Sequence, residues 1–291
     1  MTSRSFALVS CAQARGLDTD LPLLVDEFIA IGQHVQIVDW DDSALDWAQF
    51  DVTIVRSPWD YHQRYVEFLQ WIDRVSMVTH LLNSPDVLRW NTDKRYLSDL
   101  SDAGIAVIPT SFLSTQADGE MFAYADDVVL KPTVSAGSNN THRFVNDVAA
   151  AATCAGKLVA QGRVVMVQPY QRSIDEMGET GLVYFGGQFS HAFRKGAILG
   201  TQSRSANSLF VQEEISHTTA QAAELLLGGA VLEYIASRFG SAPLYARVDM
   251  VESVDGTPTL MEVELTEPSF FLHTSHGSAN RFAEAAWIAC P

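Results

Sequence analysis

Tyr245-Ala246-Arg247-Val248-Asp249-Met250-Val251-Glu252, followed across Asp255-Gly256 by Thr257-Pro258-Thr259-Leu260-Met261-Glu262-Val263-Glu264-Leu265, is the stretch whose reading decides the fold. Two alternating segments joined by Asp-Gly are the strongest short-range signal for a β-hairpin. With Asp255-Gly256 as a two-residue loop, Val254 faces Thr257. Stepping back along both strands then sets Asp249 opposite Glu262 and Arg247 opposite Glu264. The other face collects Ala246, Val248, Met250, Met261, Val263 and Leu265, an apolar face that belongs in a core. One buried face specifies the register, because a one-residue slip would expose all of it.

Three carboxylates and one guanidinium thereby share the polar face. Facing carboxylates lie about 5 Å apart at Cβ and repel, so the empty hairpin is expected to be weakened by Asp249 and Glu262. A divalent cation reverses that sign, and oxygen-only ligands suit Mg²⁺, or Mn²⁺ in its place. A solvated outer face of an antiparallel sheet remains the alternative on these residues alone.

Working outward, 291 residues with 47% apolar content are enough for two or three substructures with a sizeable core. The formal net charge of −16 opposes binding to a polyanion, so nucleic acid is excluded as the main ligand. Cys11, Cys154 and Cys290 lie far apart without metal-ligand spacing, which fits a reducing cytoplasm. No apolar run reaches the roughly 18 residues that a membrane span needs, so the reading is of a soluble chain with no membrane partner. Oligomeric state is left open.

The N-terminal part reads as a parallel α/β unit: strands at 5–10, 35–40 and 51–56, and a helix over 21–31 stopped by Gly32. Arg56-Ser57-Pro58-Trp59-Asp60-Tyr61 leaves a strand at its carboxyl end, where ligands of such sheets bind. There Arg56 could take a substrate carboxylate bidentately or form a plain salt bridge. A helix with Thr92 as N-cap is expected to run to Ala103, and Pro109 marks a linker. Beyond it come strands at 128–131 and 164–168, a small turn Ser135-Ala136-Gly137-Ser138, a helix from Asp147, and a hairpin turned by Gly186-Gly187. Small residues allow backbone N–H groups to close over phosphate, although such turns are common without that role. Residues 200–207 read as a loop, 218–239 and 279–290 as helices.

The ordered set Asp93-Lys94, Val129-Leu130-Lys131-Pro132, Ser135 to Ser138, Val167-Gln168-Pro169-Tyr170, Arg247-Val248-Asp249 and Glu262-Val263-Glu264 resembles the ATP-grasp ligases across most of the chain. The resemblance implies an α/β fold with a parallel N-terminal domain (1–90), a lid and central domain (91–195) and a C-terminal antiparallel-sheet domain (196–291), with ATP held between two sheets. It implies Lys94 and Lys131 at the nucleotide phosphates, Ser135, Gly137 and Ser138 over them, and Gln168, Pro169 and Tyr170 at adenine. Asp249, Glu262 and Glu264 match the metal ligands, Arg247 a catalytic arginine, and, more loosely, Glu179 and Arg194 further nucleotide contacts. Many members carry Asn where Glu264 stands, so this site is more negative.

The runs Val55 to Tyr61, Arg89 to Lys94, Gly178-Glu179-Thr180 and Leu265-Thr266-Glu267-Pro268-Ser269 are most similar to the group that contains the O-ureido-serine cyclo-ligase of the cycloserine pathway. This implies phosphorylation of a carboxylate by ATP and attack on the acyl phosphate by a nitrogen of the same small amino-acid-like molecule. Arg56, Glu267 and Ser269 would hold that substrate. An intermolecular amide ligase or a non-catalytic ATP-binding module are the competing readings. No side-chain nucleophile is needed, so Ser10, Cys11 and the histidines are expected to be structural.

Overall fold

A computed structural model describes residues 3–137, 139–196, 214–253 and 255–290. Among these residues the chain forms three sheets. The first is parallel, from β1 (Ser5–Ser10), β2 (His34–Asp39), β3 (Val52–Ser57) and β4 (His80–Leu82) in the order β2-β1-β3-β4. Its alternation splits two cores: Phe6, Leu8 and Ile54 pack on one side with Phe28 and the C-terminal helix residue Phe282, while Ala7, Val9 and Val55 pack on the other with Phe68 and Trp71. Helices Asp20–Ala30 and Tyr65–Ser76 supply these layers. The second of them was not read from the sequence, although Phe68, Trp71, Ile72 and Val75 give it a helical apolar stripe.

The expected helix at Thr92 is two helices. Ser84 caps Pro85–Asn91, its side chain accepting from Val87 N with Pro85 in the first turn. Thr92 sits at that helix's C-terminus, and a second helix, Tyr96–Asp102, follows. The break between them leaves Lys94 outside both helices.

The second sheet is antiparallel, from β5 (Ser111–Leu113), β6 (Asp127–Pro132), β7 (His142–Val145) and β8 (Val165–Pro169) in the order β5-β8-β6-β7. Helix Val148–Ala160, capped by Asp147, covers one of its faces through Ala151, Ala155 and Leu158. The third sheet, also antiparallel, runs β11-β10-β9-β12-β13 from β9 (Glu179–Phe185), β10 (Gln188–Lys195), β11 (Ile215–Thr218), β12 (Tyr245–Glu252) and β13 (Pro258–Glu264). Hairpin β9–β10 bonds to β12, so residues 179–195 pair with the C-terminal sheet and not with the strands of 111–169. Helix Ala222–Phe239 covers the apolar face of this sheet. Residues 200–207 lie outside the described residues.

Two β-bulges shape the third sheet. Arg247 pairs with Glu264 and Asp249 with Glu262 as expected, but Met250 pairs with Leu260, leaving Met261 as an extra residue. The turn is longer than two residues: Glu252 pairs with Pro258, and Ser253 N donates to Thr257 O at 2.8 Å. In the β9–β10 hairpin, Phe189 pairs with Tyr184 and His191 with Val183, so Ser190 is extra. Each bulge re-aims the side chains beyond it.

Candidate active site

One cavity lies between the second and third sheets, and it is lined by Lys94, Lys131, Ser135, Gly137, Gln168, Pro169, Tyr170, Glu179, Arg247, Asp249, Glu262, Glu264, Glu267 and Ser269. Ser138 lies outside the described residues. Arg56 and Arg194 do not line it.

Glu262 is the hub. Its Oε1 lies 3.0 Å from Lys94 Nζ and its Oε2 3.1 Å from Lys131 Nζ. Lys94 comes from the break between two helices, where its N–H donates to Thr133 O (2.9 Å) and its Nζ to Ser135 O (2.8 Å). Lys131 comes from β6. Burial would raise Glu262, but Lys131 and Lys94 outweigh it and hold the carboxyl far below its usual range. The same pairing keeps buried Lys94 protonated: burial opposes the charge, and Glu262 and Glu267 restore it.

Arg247 takes the other two acids. Its Nη2 donates to Asp249 Oδ2 at 2.8 Å and also to Glu264 Oε1, and its Nη1 reaches Ser269 O at 3.1 Å. One guanidinium cannot neutralise both carboxylates. Burial raises Glu264 to about 8, against Arg247 and with help from Asp249 and Glu262. The expectation that Asp249 and Glu262 face each other unpaired is therefore corrected: each is held by a different cation. Among the described residues no three carboxylate, imidazole or thiol groups converge as a ready-made cation site.

The apolar end of the cavity is built by Ile108, Val129, Tyr170, Ile174 and Met261. Met261 was placed on the core face from strict alternation, and the bulge turns it into this cavity instead. Gln168 Nε2 donates to Thr110 Oγ1 at 2.9 Å. The N–H of Tyr170 is engaged with Asp127 O at 3.0 Å, and its ring carries the Arg143 guanidinium 3.3 Å from its centroid. Gly137 closes the small turn at φ 60°, a left-handed backbone that disfavours a side chain.

Register explains Arg194. An unbroken hairpin from Gly186-Gly187 would set Arg194 opposite Glu179, but the extra Ser190 advances the strand by one. Lys195 therefore pairs with Glu179, its Nζ 3.6 Å from Glu179 Oε2, and lines the cavity, while Arg194 pairs with Thr180 on the opposite face. Phe193 shares the cavity face, and its ring lies over Gly181, where an added Cβ would stand 2.1 Å from Phe193 Cζ.

Arg56 is fully buried behind the cavity. Its Nη2 donates to Pro268 O at 2.8 Å and its guanidinium stacks 3.6 Å from the Phe270 centroid. It supports the segment after β13 and does not face the cavity as a carboxylate receptor. Other groups fix the same segment: Trp59 Nε1 donates to Glu267 O, and Asp20 accepts from the N–H groups of Phe270, Phe271 and Leu272 at 2.6, 3.1 and 2.9 Å. Sequence reading did not single out Trp59, Asp20, Lys195 or Phe271 for this region. An acid just inside the first turn of a helix reads as a dipole partner, and nothing local shows that Asp20 reaches a loop some 250 positions away.

Known proteins share this fold. A model of the DcsG_N family, the N-terminal domain of D-cycloserine synthetase DcsG, matches residues 6–83. The chain is 35% identical over 298 residues to the cycloserine biosynthesis protein DcsG of Streptomyces lavendulae, covering 96% of both chains. The chain belongs to the DcsG family. A crystal structure of D-cycloserine synthetase DcsG superposes with a TM-score of 0.90 at 34% identity, over 98% of this chain and 99% of that one. The ATP-grasp ligase PsnB, solved with a precursor variant, Mg and ADP, shares the fold at a TM-score of 0.63 and 16% identity, over 99% of both chains. The chain is thus an ATP-grasp ligase that forms carbon–nitrogen bonds. Its cavity is where the elements of that fold meet.

Proposed function

We propose that this member of the DcsG family uses ATP and Mg²⁺ to activate the carboxylate of a small amino-acid derivative, O-ureido-serine, and closes the ring by attack of the substrate's own nitrogen. The observation that carries the reading is the single cavity in which Lys94, Lys131, Arg247 and the acids Asp249, Glu262 and Glu264 meet. Its chemistry fits a nucleotide and a hard cation: two ammonium groups, all-oxygen acids and an apolar end for a base. When bound, Mg²⁺ neutralises phosphate charge and ATP supplies the phosphoryl group.

The residues present would then exchange partners. Lys94 and Lys131 would turn from Glu262 to phosphate oxygens, freeing Glu262 to join Asp249 and Glu264 as cation ligands. Arg247 would orient the substrate carboxylate and take up charge on its carbonyl oxygen. Tyr170, Met261 and Ile174 would sandwich the base, with Gln168 and Pro169 beside it and Glu179 at its far side. Ser269 would contact the substrate. We place the division between the lid and C-terminal units near Gly178, with the N-terminal unit ahead of Lys94, and the enzyme in a reducing cytoplasm consistent with its free cysteines.

An intramolecular attack reaches effective molarities of roughly 10⁵ M or more, so a second amine pocket is unnecessary. The test is phosphate release with ATP and Mg²⁺ over a panel of single and paired substrates. O-ureido-serine alone should release phosphate and yield a cyclic product by mass spectrometry. Release that demands two amino acids, or a peptide and an amino acid, replaces ring closure with intermolecular amide formation.

A further inference from the structure

Among the described residues three other than glycine adopt a positive φ: Asn140, Asn146 and Phe271. Asparagine tolerates that left-handed backbone, whereas an aromatic residue is disfavoured there, so φ 51° at Phe271 is an outlier that the surrounding structure must hold in place. Buried Asp20 does so by accepting from the N–H groups of Phe270, Phe271 and Leu272. Consecutive N–H groups converge on one anion where the backbone changes hand, and Phe271 supplies that change. Its ring is thereby brought to the cavity wall. The ring centroid lies 4.6 Å from that of Phe193, and the Arg247 guanidinium carbon lies 5.9 Å from each. Phe193 reaches this corner because Gly181 beneath it carries no side chain. Two departures from ordinary sequence preference, a glycine inside a central strand and an aromatic residue in a left-handed turn, thus build one aromatic corner beside Arg247. Phe271 and Phe193 pack with the core of the parallel sheet and C-terminal helix, apart from the Ile108, Tyr170 and Ile174 group at the cavity's apolar end.

We propose that Phe271 sets substrate length: its ring is the fixed stop against which the substrate lies when its carboxylate rests on Arg247. The inference deepens the ligase reading above and rests on it. Phe271 and Ser269 line the cavity together with Arg247, whose Nη1 donates to the Ser269 carbonyl. A substrate gripped by Arg247 is therefore within reach of this ring. It meets an apolar surface that cannot retreat, with Phe193 packed against the ring and Asp20 fixing the backbone. An apolar wall discriminates against one misplaced methylene by roughly 10–200-fold. The ligand class is thereby a three-carbon α-amino acid with a short ureido-oxy side chain, and the four-carbon homologue is rejected.

The test compares O-ureido-serine with its homologue one methylene longer, O-ureido-homoserine, by kcat/KM for phosphate release with ATP and Mg²⁺. The unaltered enzyme should prefer the shorter compound. Phe271→Ala should lower that preference by roughly 10–200-fold, the change falling on KM for the ureido compounds while KM for Mg-ATP stays within a few-fold. Phe271→Leu, which keeps most of the apolar volume, should give an intermediate preference, and it decides the matter if Phe271→Ala does not fold. A preference left unchanged in the folded variants, with both compounds losing rate in parallel, would give Phe271 a merely structural role and overturn the proposal. Equal turnover of both lengths by the unaltered enzyme overturns it as well. No phosphate release from O-ureido-serine alone by the unaltered enzyme instead overturns the ring-closing reading, and this inference with it.

Discussion

At the scale of single residues, the paired state of Glu262 decides what its loss does. Glu262→Gln removes the shared counter-ion of two largely buried ammonium groups, with Lys94 and Lys131 side chains only 9% and 13% exposed. Breaking a buried pair from one side typically costs about 3–5 kcal/mol. Metal-free melts of Glu262→Gln should therefore lie several degrees below those of the unaltered chain. The repulsion expected from the sequence requires the opposite, an unchanged or higher melting temperature, and that result would show that the lysines do not hold Glu262 in solution. Glu267 gives a pH signature of the other sign. Its folded carboxyl, raised to about 7, binds its proton more tightly than in the unfolded chain, where glutamate titrates near about 4.3. Stability from this group is full below that lower value and is lost as pH rises toward 7. Glu267→Gln should flatten the fall of metal-free melting temperature across this window, leaving the Glu264 contribution that extends to about 8; an unchanged slope contradicts the raised carboxyl.

At the scale of elements, the site was legible where alternation and a turn signal agreed, and illegible where one extra residue entered a strand. The pairing of Arg247 with Glu264 and of Asp249 with Glu262 came out as read, yet through two cancelling departures: a turn longer than Asp255-Gly256 shifts the register by one, and the bulge at Met261 shifts it back. Hence the acids were placed correctly and Met261 was not. Ser190 has no compensating partner of this kind, so Lys195 takes the cavity face in place of Arg194. A bulge is set by contacts with neighbouring strands, which local periodicity does not carry. The parallel sheet was legible from its apolar runs, whereas the caps at Ser84 and Asp147 were used in one case and missed in the other. The loop that carries Glu267 depends on the distant Asp20. Asp20→Ala removes an ionised acceptor from three backbone donors, each such bond being worth about 1.5–3 kcal/mol. It should lower the urea midpoint clearly and, by loosening Glu267 and Ser269, reduce kcat for ring closure; an unchanged midpoint would mean that the loop is held by Arg56, Trp59 and Arg247 alone.

At the scale of the whole molecule, the chain brings two lysines from separate units to one carboxylate, Lys94 after the parallel sheet and Lys131 from the second sheet, against Glu262 of the third. Each lysine bond to phosphate should be worth about 1.5–3 kcal/mol, so Lys131→Ala should weaken Mg-ATP binding by about 10-fold to 150-fold in calorimetry. Unchanged affinity in both single lysine variants would remove the nucleotide from this cavity. Closing a ring through an acyl phosphate makes a stricter demand, because one oxygen of the substrate carboxylate must leave with the phosphate. The deciding measurement uses O-ureido-serine labelled with ¹⁸O in both carboxylate oxygens. The account predicts one ¹⁸O atom in each released phosphate and the other in the carbonyl of the cyclic product; phosphate free of ¹⁸O, released at the rate of ring formation, would contradict it.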